Sequence, residues 1–247
     1  MPDGRHNLLS SATFISCIFT NLIAFGYSGG AIYFADQSEG TLTVTNCFFE
    51  HCEVSISQGN GNGGGAIYAG SVSKVNIVCS SFIRCRCNNT NRSDGGAIGL
   101  YNILTHPRVT ACTLLFCMAE DDGGAMSLWS SSGDANQLFC DQSFFLQNTA
   151  SGSTDPGGGC IILYHSTALP CSNCLFCDST AFYGGALYLN CSIYLDNNYT
   201  VRFCFFCRNS AAQANDIYFY SALSDSPLIH CFSTSSSTRL SNGKDID

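Results

Sequence analysis

Gly29-Gly30-Ala31-Ile32 is the first copy of a block that recurs along most of the chain. A second block precedes each copy, and its aromatic or leucine positions are spaced by 30, 33, 32, 31, 31 and 30 residues. A period in this range is typical of a stacked repeat array. The other copies of the first block, of which Gly158 and Ala214 begin degenerate ones, are Gly64-Gly65-Ala66-Ile67, Gly95-Gly96-Ala97-Ile98, Gly123-Gly124-Ala125-Met126, Gly158-Gly159-Cys160-Ile161, Gly184-Gly185-Ala186-Leu187 and Ala214-Asn215-Asp216-Ile217. The spaced positions of the second block are Phe19, Phe49, Phe82, Leu114, Phe145, Phe176 and Phe206.

Alignment of the copies on the alanine separates inward from outward positions. The residues one and three places later are apolar in every copy, and this alternation predicts a strand with one buried face. The column between them is mixed, which is typical of an outward face. The inward columns are Ile32, Ile67, Ile98, Met126, Ile161, Leu187 and Ile217, then Phe34, Ala69, Leu100, Leu128, Leu163, Leu189 and Phe219. The mixed column is Tyr33, Tyr68, Gly99, Ser127, Ile162, Tyr188 and Tyr218.

The second block also predicts strands. Apolar or small residues stand five and two places before the aromatic position, as Val44 and Cys47 stand before Phe49. Their spacing is odd, so the chain must bend or bulge between them to keep both inside. No segment has a helical period. Because identical strands stack on their own copies, the repeats predict an all-β fold, a right-handed single-stranded parallel β-helix (solenoid) of about seven rungs.

The repeats define one domain, which we place at residues 1–220. For residues 221–247 we expect a C-terminal cap strand, around Ile229 to Phe232, followed by a disordered Ser-rich tail.

Composition excludes several classes of partner. The 247-residue chain has a net charge of −8 and only ten Lys and Arg, so nucleic acid is not an expected partner. No run of roughly 18 apolar residues is present, so no integral membrane segment is expected. The apolar stretch from Leu8 to Gly26 resembles a signal peptide, but cleavage would remove part of the first repeat. We therefore expect no cleaved signal.

Gly-Gly-Ala-Ile together with Phe-x-x-Asn resembles the repeat of the chlamydial polymorphic outer membrane proteins and of similar surface-type proteins in protists such as trichomonads. Residues 145–148 and 206–209 match the second motif fully. The resemblance covers nearly the whole chain and implies a surface-exposed, adhesin-like β-helix at the cell surface or outside the cell. In the other copies the Asn is replaced, by Leu22, Cys52, Cys85, Cys117 and Ser179.

The chain has 17 cysteines, and many share columns of the repeat. Buried free thiols and disulfides between rungs are both compatible with this placement. Cys174-x-x-Cys177 and Cys204-x-x-Cys207 resemble half-sites for zinc, but residues three apart on a strand point to opposite faces, so no metal centre is expected there. Cys177 and Cys207 fall on the outer face in adjacent rungs and form the candidate disulfide.

Two sets of outward residues are candidates for binding. An aromatic residue stands four places after the alanine in three consecutive rungs and again in the last, predicting an exposed strip of Tyr101, Trp129, Tyr164 and Tyr220. Such a strip either stacks on sugar rings or anchors a protein, or its rings stabilise the sheet by stacking on each other. A weaker hypothesis is a calcium site from the loop carboxylates Asp94, Asp121, Asp122 and Asp155.

No catalytic residues and no cofactor are predicted. Polysaccharide hydrolases and lyases need two carboxylates facing each other across the scissile bond, or carboxylates with Ca²⁺ and a basic residue, whereas the outward columns hold Tyr, Trp, Ser, Gly and Ile. His51, His106 and His165 fall in different columns. The favoured function is therefore a non-enzymatic surface or adhesion protein that binds a host or environmental glycan or a surface protein. The alternatives are a pectate-lyase-like carbohydrate-active enzyme and a truncated family member without independent function.

Overall fold

The described part of the chain is built from β-strands and the bends between them. The computed structural model of the protein describes residues 11–26, 28–36, 38–55, 63–88, 95–130, 137–151, 157–166, 168–191, 198–220, 228–233, 238–240 and 245–246. Within these ranges no residue is helical. The all-β prediction is thereby confirmed.

The described residues form thirty strands, which follow one another in successive rungs. The first two rungs contain β1 (Ala12–Ile15), β2 (Ile18–Thr20), β3 (Ile23–Phe25), β4 (Ile32–Ala35), β5 (Thr41–Thr45), β6 (Phe48–Glu50), β7 (Glu53–Ser55) and β8 (Ile67–Gly70). The next two contain β9 (Lys74–Val78), β10 (Ser81–Ile83), β11 (Arg86–Asn88), β12 (Ile98–Tyr101), β13 (Arg108–Thr110), β14 (Thr113–Leu115), β15 (Met118–Ala119) and β16 (Met126–Trp129). Two more contain β17 (Phe139–Asp141), β18 (Phe144–Leu146), β19 (Thr149–Ala150), β20 (Ile161–Ser166), β21 (Ala168–Ser172), β22 (Leu175–Cys177), β23 (Thr180–Tyr183) and β24 (Leu187–Cys191). The last strands are β25 (Asn198–Cys207), β26 (Ser210–Gln213), β27 (Ile217–Phe219), β28 (Leu228–Ser233), β29 (Thr238–Leu240) and β30 (Asp245–Ile246).

Each strand from β1 to β24 pairs in parallel with the strand at the same place in the next rung. The ladder β4-β8-β12-β16-β20-β24-β27 carries the Gly-Gly-Ala blocks, and β3-β7-β11-β15-β19-β23-β26 forms a second sheet. The strands β1, β5, β9, β13, β17 and β21 form one ladder and β2, β6, β10, β14, β18 and β22 another, and the long β25 joins them into a single sheet. The chain is thus a parallel β-solenoid of roughly seven rungs, as the repeats predict.

The interior is filled by the predicted apolar columns. Ile67, Ile98 and Met126 are fully buried, as are their counterparts in later rungs. The aromatic column stacks ring on ring: the centroids of Phe49 and Phe82 lie 4.7 Å apart. Such stacking adds to the free energy that burial itself contributes. The remaining stacked pairs are Phe19 with Phe49, Phe145 with Phe176, and Phe176 with Phe206.

The second glycine of each Gly-Gly pair lies where two rungs approach most closely. A Cβ at Gly96 would collide with the carbonyl oxygen of Gly124 in the next rung and would lie 2.7 Å from the backbone of Met118. Both neighbours are backbone atoms, which cannot rotate away as a side chain can. The repeated glycine is therefore required by contact between rungs.

Within the second block, each rung has two turn residues in the left-handed backbone region. One of them lies three places before the aromatic position and the other two places after it, as Asn46 (φ 54°) and His51 (φ 50°) flank Phe49. The first turn supplies the bend that the odd spacing requires. At most of these turns the next residue points inward, and at Cys85, Ser143 and Asn148 its side chain bonds the backbone of the preceding rung.

These corner bonds explain the columns of Cys, Ser and Asn. The backbone N–H of Cys112 donates to Ser143 Oγ at 3.1 Å. At the second corner, the N–H of Cys117 donates to Asn148 Oδ1 at 3.0 Å, while Asn148 Nδ2 donates to the carbonyl of Leu114 at 3.0 Å. Because a buried backbone group without a partner is costly, small polar residues at the corners stabilise the stack. The cysteines of these columns donate to carbonyls as well as filling space; Cys112 Sγ, for example, donates to the carbonyl of Thr110 at 3.3 Å.

The mixed column of the Gly-Gly-Ala ladder, predicted to face solvent, is buried in most of the described rungs. Tyr33 is 55% exposed, but Ser127, Ile162 and Tyr188 are at most 1% exposed. The segments that lead into the glycine blocks cover this face: the backbone of Gly63 lies directly against Gly99, where a Cβ would collide with it. The prediction of an outward face was therefore wrong beyond the first rung.

Strand pairing continues past residue 220. The strand β28 pairs in parallel with β25, and β29 pairs in parallel with β27. The short β30 then pairs antiparallel with β29. Two segments of the stretch expected to be disordered are thus strands, since the last rung offers unpaired backbone groups at its edge.

Candidate functional site

The predicted aromatic strip is divided into two groups, and Tyr101 and Trp129 form the first. They are partners in the register of β12 and β16, and their rings stack with centroids 4.6 Å apart and planes 8° apart. Both side chains are partly exposed. The ring of the exposed His165 is nearly perpendicular to the indole, with planes 82° apart and a centroid distance of 6.3 Å. We call Tyr101, Trp129 and His165 the aromatic patch.

Tyr164 belongs to the second group although it is the register partner of Trp129. Its ring leans toward Tyr188, at 6.0 Å, and its hydroxyl donates to Asp122 Oδ2 at 3.1 Å. Tyr188 stacks on Tyr218 at 5.5 Å. These rings, together with Ile162, form a small apolar cluster outside the main core. Tyr164 therefore stabilises the covering of the sheet.

Tyr220 lies at the far end of the second group and is 55% exposed. Its ring centroid is 6.2 Å from that of Tyr188. Asn190 holds the same position as Tyr164 in the next rung, so the aromatic column is interrupted before the last rung. The four predicted residues are thus not one continuous strip.

The aspartates of the calcium hypothesis lie in the segments that lead into the glycine blocks. Asp94 and Asp155 lie outside the described residues. Asp122 is 2% exposed and accepts the hydrogen bond from Tyr164, which gives it a structural role in the covering of the sheet. Among the described residues, Asp121 and Asp122 are not part of a group of convergent metal ligands.

The candidate disulfide joins adjacent rungs on the outer face. Cys177 ends β22 and Cys207 ends β25, and the structure links them by a disulfide with a Cα–Cα distance of 4.6 Å. The inward neighbours Phe176 and Phe206 stack beneath it at 5.0 Å. The cross-link therefore connects two rungs at a point where they are also packed against each other.

Four other cysteines form a chain of contacts inside the solenoid, an arrangement that the sequence analysis missed. The Sγ atoms of Cys140, Cys171 and Cys174 all lie within 4.8 Å of one another. Cys140 Sγ is 3.7 Å from Cys174 Sγ, and Cys171 Sγ is 3.6 Å from Cys204 Sγ. All four side chains are at most 2% exposed. We call these four residues the thiol cluster.

The thiols of this cluster interact electrostatically. Hydrogen bonds from the Cys171 and Cys174 thiols lower the pKa of the Cys140 thiol to about 6, against the opposing effect of burial. The hydrogen bond with Cys140 raises the pKa of Cys171 well above its usual value. One sulfur of the cluster is thus favoured as the negatively charged one.

The sequence signal for the thiol cluster lay in the columns. Cys140 and Cys171 stand five places before the aromatic position, whereas Cys174 and Cys204 stand two places before it. The bend between the two columns turns both inward. The C-x-x-C spacing does not reveal this cluster, because it joins one inward and one outward cysteine, whereas the cluster joins cysteines of two inward columns.

Three of the five histidines, those considered for an enzyme, lie at separate positions of the solenoid. His51 and His165 are exposed residues at turns with positive φ, and His106 lies beside Phe139 with a centroid distance of 5.8 Å. His106 Nδ1 accepts a hydrogen bond from the backbone of Gln137 at 3.3 Å. Only His165 adjoins a candidate site, the aromatic patch.

No family model, curated protein or solved structure matches the chain. The resemblance to polymorphic outer membrane protein repeats therefore stays a prediction from the repeat residues. Over the part of the chain that the structure describes, no helix has the length and apolar character needed to cross a membrane.

Proposed function

We propose that the protein is a non-catalytic binding module of the cell-surface or extracellular adhesion type, which uses the aromatic patch to bind a carbohydrate. The stacked, partly exposed pair of Tyr101 and Trp129 is the observation that carries this proposal. Aromatic faces beside polar groups are suited to sugar rings, whose C–H faces pack on the ring while their hydroxyls form hydrogen bonds.

The surroundings of Trp129 favour a ligand at one side of the pair. One indole face lies on Tyr101, and the other is directed toward the rung of Tyr164, whose ring leans away to Tyr188. His165 borders this side, and its exposed imidazole offers hydrogen-bonding groups. The rigid stack of rungs holds these groups in place, so little ordering entropy is lost on binding.

Two further features support a place at the cell surface. The disulfide between Cys177 and Cys207 is of a kind found mainly in oxidising compartments. The same proposal includes a relationship of this chain to the polymorphic outer membrane protein-type repeats. The corner bonds give a physical reason for the Asn of their Phe-x-x-Asn motif. Asn148, the last residue of one Phe-x-x-Asn copy, binds the backbone of the preceding rung through its amide.

The proposal is tested by glycan-array binding with the wild-type protein and the Tyr101→Ala/Trp129→Ala variant. Tyr33→Ala is the matched control, because Tyr33 is 55% exposed on the same ladder and its strand is two rungs from that of Tyr101. Far-ultraviolet circular dichroism establishes that each variant is folded. Binding by the wild type and by Tyr33→Ala, with loss in the double variant, is expected.

Fluorescence provides a second readout because Trp129 is the single tryptophan of the chain. A glycan that stacks on the indole should change its emission, whereas a glycan bound elsewhere should not. Binding that persists in the double variant would refute the patch as the site. Absence of glycan binding in all three proteins would refute a carbohydrate ligand and direct the search to protein partners at the same surface.

A further inference from the structure

Two cysteines of the thiol cluster have no structural reason to be cysteine. Cys140 and Cys171 occupy a column that holds apolar, mostly β-branched, residues in the other rungs, Val109 and Val201 among them. A buried valine fills this place without a polar atom. Cys174 and Cys204, by contrast, stand at corners where a small hydrogen-bonding residue is required. The two extra thiols therefore call for a separate explanation.

The four sulfur atoms come from three successive rungs; those of Cys140, Cys171 and Cys174 converge in the interior, and that of Cys204 contacts Cys171. Cys140 lies on β17 and contacts Cys174 across the bend of the next rung, at 3.7 Å. Cys171, the register partner of Cys140, makes the same diagonal contact with Cys204 at 3.6 Å. In the neighbouring rungs, one position of this diagonal is apolar, as Val109 is. Among the described residues, only Cys140 and Cys171 place a thiol at both ends of this diagonal.

The separation of these sulfur atoms fits a thiolate-bound metal ion. With Zn–S bonds of about 2.3 Å, the edge of a tetrahedron of sulfur ligands is about 3.8 Å long. The Cys171–Cys204 and Cys140–Cys174 contacts, 3.6 and 3.7 Å, are close to this edge, and the sulfurs of Cys140, Cys171 and Cys174 lie within 4.8 Å of one another. Sulfur ligands without nearby carboxylates select thiophilic ions over calcium or magnesium.

We propose that Cys140, Cys171 and Cys174 bind one Zn²⁺ ion inside the solenoid, and that Cys204, whose Sγ contacts Cys171 but lies outside this group of three, turns inward to supply the fourth ligand. Each coordinating thiol loses its proton to solvent and gives an electron pair to the metal, so no oxidant or reductant is consumed. Because the four side chains are at most 2% exposed, the ion must enter as the rungs assemble. Metal binding would then be coupled to folding and would connect three rungs at one point.

The site is tested by refolding the protein under reducing conditions with zinc, removing free metal, and measuring zinc by mass spectrometry. The variant Cys140→Val/Cys171→Val restores the residue type that the column holds in neighbouring rungs, so the core stays filled. The control Cys52→Ala/Cys85→Ala also removes two buried thiols. These two cysteines lie in adjacent rungs of one column and are not part of the convergent group. The wild type and the control should retain about one zinc ion per chain, and the valine variant none.

Cobalt substitution gives a readout that depends on geometry. Co²⁺ in the wild type and in the control should show sulfur-to-cobalt charge transfer and tetrahedral visible bands, both absent from the valine variant. A chelator should lower the melting temperature of the wild type but leave that of the valine variant unchanged. Zinc-free wild type with all four thiols reduced, or a disulfide between Cys140 and Cys174 or between Cys171 and Cys204 in peptide mass spectra, would overturn the proposal.

Discussion

Replacement of Phe145 by alanine tests the interior aromatic column at its most informative point. Phe145 is fully buried and stacks on Phe176 with ring centroids 4.9 Å apart, whereas its chain neighbour Phe144 is 48% exposed. Removal of a buried phenylalanine ring leaves a cavity and costs about 3–5 kcal/mol of unfolding free energy. This range includes the lost ring contact, which is worth about 0.5–1.5 kcal/mol. We therefore expect Phe145→Ala to lower stability by about 4 kcal/mol.

The two matched variants are Phe144→Ala and Phe145→Leu. Phe144→Ala removes the same ring from the outer face and should change stability by about 0.5 kcal/mol or less. Phe145→Leu keeps most of the volume, and the same column already holds Leu114 one rung away, so its cost should be about 1.5 kcal/mol. Equilibrium urea unfolding, followed by circular dichroism and by the fluorescence of Trp129, gives all three values. Equal costs for Phe144→Ala and Phe145→Ala would refute the assignment of the two faces.

Three further predictions concern the packing between rungs. Gly96→Ala should destabilise by about 3 kcal/mol or more, because its Cβ meets only backbone, whereas Gly26→Ala, in open space at φ 77°, should cost about 1 kcal/mol; urea unfolding distinguishes the two. Asn148→Ala removes a buried donor and a buried acceptor at a corner and should cost about 2–4 kcal/mol in the same assay, and a loss below about 1 kcal/mol would contradict the corner bonds. Alkylation near about pH 8 should modify the exposed Cys79 rapidly and spare Cys160, because burial raises the pKa of the Cys160 thiol to about 12 and keeps it protonated, and peptide mass spectrometry reads both sites.

The architecture could be predicted because it follows from short-range periodicity. Positions one and three places after each alanine alternate with a third column, and the buried columns of the structure are the predicted ones, from Ile67 to Ile217. The bend within the second block could be predicted too, because two inward residues at odd spacing cannot share a straight strand. Both inferences need only the geometry of a strand and the repetition of residues.

The candidate sites could be predicted only in part because they depend on side-chain direction and on segments between the repeats. Tyr101, Trp129 and Tyr164 are continuous in register. The Tyr164 ring nevertheless leans away from Trp129, because its hydroxyl donates a hydrogen bond to Asp122 in the segment before the glycine block. The length of that segment varies from copy to copy, so the repeat pattern does not predict the path of its backbone. The thiol cluster, by contrast, could have been predicted by comparing the columns five and two places before the aromatic position.

Deletion of one complete rung tests the solenoid most directly. Thr113 and Phe144 are register partners, so removal of residues 113–143 joins Cys112 to Phe144 and leaves every later residue on its original face. Because each rung contacts only its neighbours, the shortened chain should fold cooperatively, with a β-type circular dichroism spectrum and a rod shorter by about 4.8 Å in small-angle scattering. Removal of residues 113–128, which shifts the repeats out of phase, should prevent folding. A rung deletion that unfolds the protein as completely as the out-of-phase deletion would contradict the account.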